Sequence, residues 1–186
     1  MASNRDSTLL DSLTFYGQYH ANPWNQLIHV VFVPAIWWSV AVWLAGFPSI
    51  LMFNGPLVMM LAYSAYYVRL EPLAGITWAL CVGGPLAAHA TYFSAVKGAN
   101  YWAFGAQLLS WVMQIWPGHM ILERRKPALL DGLVQAFSLA PLFVWLELLF
   151  FMGYRPKLHA ELKQRVATSL AVHKQHVRPE GQPKYE

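Results

Sequence analysis

LIHVVFVPAIWWSVAVWLAG, residues 27–46, runs for twenty positions without a Lys, Arg, Asp or Glu. About twenty apolar residues is what the hydrocarbon core of a bilayer asks of a helix, so this stretch reads as a membrane span. The rest of the chain agrees. Its 186 residues are 56% hydrophobic and only 12% charged, where a soluble domain carries roughly a quarter charged residues. A soluble fold of this length has no core large enough to hide so much apolar surface. The expected fold class is all-α, a polytopic membrane helical bundle.

Working outward, residues 49–68, 72–93 and 101–116 are three further candidate spans. The last is short and carries Gln107 and Gln114, which suits a position beside protein rather than bare lipid. A fifth stretch, residues 133–153, holds Gln135, Pro141 and Glu147 and is flanked on both sides by basic residues. Pro141 is expected to interrupt it, and a broken or re-entrant hairpin keeps both basic flanks on the cytoplasmic side. The expectation is about four transmembrane helices plus this broken or re-entrant helix. A polar N-terminal segment (1–26) precedes the membrane helical domain (27–153), and a basic tail (154–186) follows it. Residues 1–14 are polar and mixed in charge, so no cleavable signal peptide is expected.

The net charge is +4. Seven of the 13 Lys and Arg follow Gly153, and three more form the run Arg124, Arg125, Lys126. That clustering suits anionic lipid headgroups at a cytoplasmic surface and excludes the spread basic face of a nucleic-acid binder. The single cysteine, Cys81, excludes an internal disulfide and a cysteine-based zinc site.

The polar chemistry lies in two short motifs. FYGQYHANPWNQLIH, residues 15–29, carries His20 and His29. Asn22 and Pro23 form an N-cap and first-turn pair, which puts His20 just before a helix and His29 about two turns inside it. WPGHMILERRKPALLD, residues 116–131, opens with Pro117 and Gly118, expected to break the fourth span. A new helix starting there sets His119 and Glu123 four apart on one face. Four spans separate His29 from His119, so the topology brings three histidines and a carboxylate to the cytoplasmic boundary. Imidazole and carboxylate are the ligand types of a non-haem ferrous centre. They are also what interfacial residues reaching for headgroups look like. Gln114, one turn before Pro117, is positioned to hydrogen-bond a ligand histidine. Glu147, costly to bury ionised, is either functional or paired with Arg124 or Arg125. Tyr16, Tyr19, Asn22 and Asn25 orient ligands or substrate, or cap and anchor the helix. His89, late in the third span, is expected at the opposite face as a packing residue.

The two motifs together, with GHMILERRKPALLDGLVQAFSLAP (118–141) and the short basic tail, resemble the fungal 2-hydroxy fatty acid dioxygenases, the family named for metabolism of phytosphingosine to odd-numbered fatty acids. The resemblance covers residues 9–156 and is densest in the motifs. It implies a multi-pass enzyme of the endoplasmic reticulum membrane that depends on Fe(II). The implied reaction takes a long-chain 2-hydroxy fatty acid and dioxygen to the acid one carbon shorter, releasing carbon dioxide. Carried onto this chain, the motif residues are His20, His29, His119 and Glu123, with Arg124, Arg125 or Lys126 meeting the substrate carboxylate and the acyl chain lying among the spans. The rival readings are a non-catalytic lipid-binding or membrane-shaping protein, a zinc-dependent lipid hydrolase, and a diiron hydroxylase, which needs more closely spaced histidines than this chain has.

Overall fold

The computed structural model describes residues 4–49, 53–124 and 133–177. Among these the chain is helical and no sheet forms. Helix α1, Asn4–Gly17, places Leu9, Leu10, Leu13 and Tyr16 on one buried stripe, the spacing of a helix with one covered face. The N-terminal segment, which reads as merely polar in sequence, is thus an amphipathic helix packed on α7 (Leu133–Phe151) and α8 (Pro156–Val177).

Helix α2, Pro23–Ala45, is the central rod. Asn22 caps it, its side chain accepting from Trp24 N–H at 2.9 Å, with Pro23 in the first turn. Helix α3, Gly55–Leu70, is capped in the same way by Asn54, which accepts from Leu57 N–H. It turns back at the extended residue Glu71 into α4, Pro72–Trp78. The hairpin is tight because a Cβ on Gly75 would lie 2.4 Å from Val68 N. A π-helical turn, Ala79–Gly83, then joins α4 to α5, Gly84–Phe93. Pro85 has no N–H to offer, and the widened turn precedes it. Helix α6, Ala99–Met113, follows the left-handed Gly98 and packs along α2, where Ser39 Oγ donates to Gln107 Oε1.

Two expectations about breaks are corrected. The helix does not stop at Pro117 and Gly118; it continues from α6 as a π-helical segment, Gln114–Glu123, that ends at the left-handed Arg124. Nor does Pro141 break the fifth stretch: α7 runs unbroken over Leu133–Phe151. Proline in a helix strands the carbonyls of the preceding turn, and here α3 supplies new donors. Tyr67 Oη donates to Ser138 O at 2.9 Å and Tyr63 Oη reaches Phe137 O at 3.5 Å. The break falls instead at Gly153 and Arg155, both at positive φ, where the chain turns by 119° into α8, Pro156–Val177. Arg155 is held there by Glu71 and by Asp6, the latter at 2.8 Å, and Tyr154 Oη donates to Glu71 at 2.8 Å.

Two rods, Pro23–Ala45 and the continuous Pro72–Phe93, are long and apolar enough to cross a membrane; the bent pair α7–α8 makes up to a third. Helices α3, with 16 residues, and α6, with 15, are each shorter than the roughly twenty of a simple span.

Candidate metal centre

Three segments deliver one imidazole each. The turn between α1 and α2 brings His20, the second turn of α2 brings His29, and the π-helical segment brings His119. All three are buried. One ligand nitrogen from each lies within 4.8 Å of the others, and among the described residues these three form the one such group.

The proton positions follow from the neighbours. His20 Nδ1 lies 2.8 Å from the carbonyl of Tyr16, and His29 Nδ1 lies 2.9 Å from the carbonyl of Asn25. A carbonyl only accepts, so both Nδ1 atoms carry hydrogen and both Nε2 atoms present lone pairs. Those Nε2 atoms face each other at 3.1 Å. Two lone pairs at that distance repel unless a cation or proton lies between them. Histidine ligands routinely donate their other ring N–H in this way, which fixes tautomer and orientation. Burial lowers His119 from its ordinary value to about 4. Burial holds His20 well below the usual range. His20 and His119 are therefore neutral at neutral pH, the form that ligates. The donor set fits a divalent transition metal.

The surroundings hold the trio in place. Tyr16 stacks on His20, ring centroids 4.2 Å apart and nearly parallel. Asn25, fully buried, donates from Nδ2 to Glu123 Oε1 at 3.0 Å, and Asn22 N–H donates to the same oxygen at 2.8 Å. Glu123 is thereby spent on the first turn of α2, and lies outside the group of converging nitrogens. Gly118 lets the π segment approach: a Cβ there would stand 2.5 Å from Asn25 Oδ1. His119 Nδ1 and Asn25 Oδ1 are buried without a hydrogen-bond partner among the described residues.

The other expected residues fall as follows. Gln114 is buried beside the histidines, with Nε2 donating to Ser110 O. Arg124 is exposed and caps the π segment through its backbone N–H; Arg125 and Lys126 lie outside the described residues. Glu147 faces α8, in a groove shared with His159 and Lys163, and the opposite charge acting on it is Lys163. His89 is exposed and bonded to Trp38, nine residues along α2 from His29. His159 stacks on Phe150.

A cavity of about 240 Å³ opens from the histidines. Tyr16, His20, His29, Gln114 and His119 form its polar end; the remainder is apolar, from Val33, Ile36, Trp37 and Val40 on α2 to Met59, Tyr63, Trp111 and Phe137. Sequence reasoning missed this lining. Its trace was present in His29, Val33, Ile36 and Val40, spaced to share one helical face.

The family model described as 2-hydroxy-palmitic acid dioxygenase Mpo1-like matches residues 7–152. The chain is 34% identical over 167 residues to the Saccharomyces cerevisiae protein named 2-hydroxy-palmitic acid dioxygenase MPO1, covering 84% of this chain and 92% of that one. No solved structure matches.

Proposed function

The chain belongs to the Mpo1-like family, and from that premise we propose that it is an Fe(II)-dependent dioxygenase of long-chain 2-hydroxy fatty acids, with His20, His29 and His119 as the metal ligands. The observation that carries this reading is the pair of inward-facing Nε2 lone pairs 3.1 Å apart, with a third buried imidazole beside them. The apolar cavity leading away from that polar end suits an acyl chain whose carboxylate and 2-hydroxyl are adjacent. A non-catalytic scaffold gives no reason for three buried histidines to converge.

The proposed reaction balances without a further reductant. A 2-hydroxy acid and dioxygen give the acid one carbon shorter, carbon dioxide and water; the substrate's two terminal carbons supply all four electrons. Iron bound by the trio would leave positions for the chelating acid and for dioxygen. The protein's own contribution is positional. The Tyr16 and Asn25 carbonyls hold the ring protons of His20 and His29 away from the centre. Glu123 locks the turn that carries His29 through Asn22 and Asn25, and Arg124 stands just beyond it to meet an arriving carboxylate. The apolar wall excludes water from the acyl chain.

The membrane reading is a four-pass bundle in the endoplasmic reticulum, with the histidine end at the cytoplasmic face. What supports four passes is that the start of α2 and the end of the π segment meet at the trio, so α2, α3, α4–α5 and α6 run alternately up and down. Exposed Trp24 and Trp116 sit at the histidine end, and exposed Tyr92, Tyr101 and Trp102 at the other, as interfacial anchors do. Labelling of single cysteines at exposed Ala21 and Lys97, with Cys81 replaced by Ser, should report opposite sides of the membrane; labelling from one side would sink the four-pass arrangement.

Zinc suits the same three imidazoles, which keeps a hydrolase as the second reading. Metal analysis of protein purified without oxygen, paired with an assay on 2-hydroxypalmitate, separates the two. One iron per chain and release of carbon dioxide are expected. Stoichiometric zinc, with no effect of added ferrous iron, would overturn the dioxygenase reading.

A further inference from the structure

Trp37 lies at the boundary of two cavities. The larger is the one that opens from the histidines. The smaller, about 60 Å³, is lined by Val30 and Pro34 of α2, by Trp78, Val82 and Leu86 of the α4–α5 rod, and by Val144, Trp145 and Leu148 of α7. Among the described residues, only Trp37 and Pro141 line both. The indole meets Tyr63, in the wall of the large cavity, edge-on at 6.2 Å, and Trp78, in the wall of the small one, at 5.9 Å. It is 3% exposed. A buried indole N–H normally finds an acceptor, and Trp37 Nε1 has none among the described residues. What this position uses is the bulk of the ring.

Length gives that bulk a purpose. The wall of the large cavity runs along α2 from His29 to Val40, eleven residues or about 16 Å along the helix axis. A 2-hydroxy acid held by its polar end at the histidines would lay its chain along this face, past Val33 and Ile36, with Val40 at the far limit and Trp37 closing the side. Beyond the ring lies the smaller apolar chamber.

We propose that Trp37, backed by Pro141, is the partition that sets acyl-chain length in this cavity: it denies the smaller chamber to the substrate, so the far end of the chain must stop between Trp37 and Val40. This rests on the dioxygenase reading for the identity of the ligand. Two substitutions act in opposite directions. Trp37→Leu joins the two chambers and should favour acids longer than 2-hydroxypalmitate. Val40→Phe fills the far end and should favour shorter ones.

The experiment measures binding first and turnover second. Saturated 2-hydroxy acids shorter than, equal to and longer than 2-hydroxypalmitate are titrated against a fluorescent fatty acid bound to the full-length protein in detergent. Each wild-type and variant protein is then assayed on the same acids. The expected result is a change of about tenfold in relative affinity for the longer acids in Trp37→Leu, the size a mismatch of a methylene or more produces in an apolar pocket, and an opposite shift in Val40→Phe. The same binding profile in wild type and both variants overturns the partition. Should Trp37→Leu fail to fold, Trp37→Phe, which trims the same ring more mildly, takes its place, and an unchanged profile there overturns the partition. If wild type binds the acids in order of length but turns none over, the iron chemistry falls and the partition still stands or falls on the shift. If no acid displaces the probe from wild type, both readings are overturned.

Discussion

His20 and His89 are the same side chain in opposite circumstances, and the difference lies in where the ring proton sits. His20 Nδ1 donates to the Tyr16 carbonyl, which leaves the Nε2 lone pair aimed at His29. His89 Nδ1 accepts from Trp38 Nε1 at 2.9 Å, which uses its lone pair and leaves the proton on Nε2 of this exposed residue. His89 also stacks on Phe93 and belongs to no group of three or more converging ligand atoms among the described residues. A histidine becomes a plausible ligand when an acceptor takes its outer proton and its free nitrogen meets others of its kind. At the His89 end the neighbours do the reverse and make it part of an aromatic edge.

That contrast breaks most sharply at the trio. His119→Ala, His20→Ala or His29→Ala should each lose the bound metal and reduce turnover to background while the helix content by circular dichroism is unchanged. A variant retaining a full complement of metal would remove that residue from the ligand set. Glu123→Ala comes next. It strips the acceptor from Asn22 N–H and Asn25 Nδ2 without touching a converging nitrogen, so metal affinity or activity should fall by about 10–100-fold, the size of effect seen when a supporting group is lost. Complete loss of metal would instead make Glu123 a direct ligand.

Gly118→Ala should be smaller. Its new methyl would lie 2.5 Å from Asn25 Oδ1, and overpacking of this kind costs about 1–3 kcal/mol. The thermal midpoint in detergent should drop while the metal still binds; an unchanged midpoint would mean that α2 and the π segment can part freely. His89→Ala is expected to do least, within roughly twofold of wild type in turnover, as surface changes usually do. If it proves as inactive as His119→Ala, the two ends of the molecule are not functionally distinct and the centre lies deeper in the bundle.

The sequence carried the ligand pattern further than the helix boundaries. Asn22 and Pro23 announced the start of α2, and the cap forms as its residue types require. Pro117 and Pro141 misled, because proline marks a break only when nothing re-satisfies the carbonyls it strands. Around Pro141 the hydroxyls of Tyr63 and Tyr67, more than sixty positions away, do so. At Pro117 the turn widens and the helix continues. The fold of residues 4–17 was hidden for a different reason: its stripe of Leu9, Leu10, Leu13 and Tyr16 is short. Its covering partner, α8, is supplied from the other end of the chain.

By itself, then, the sequence determined that the chain is helical and apolar enough to associate with a membrane, and that imidazoles at 20, 29 and 119 were the residues to watch. Both follow from local properties, side-chain hydrophobicity and ligand chemistry, which survive whatever the chain packs against. Only the tertiary structure decided that those three nitrogens converge, that Glu123 is spent on Asn22 and Asn25, and that Trp37 stands between two chambers. Each of these depends on atoms brought within a few ångströms from segments about ten to a hundred positions apart, and no local propensity encodes such a distance.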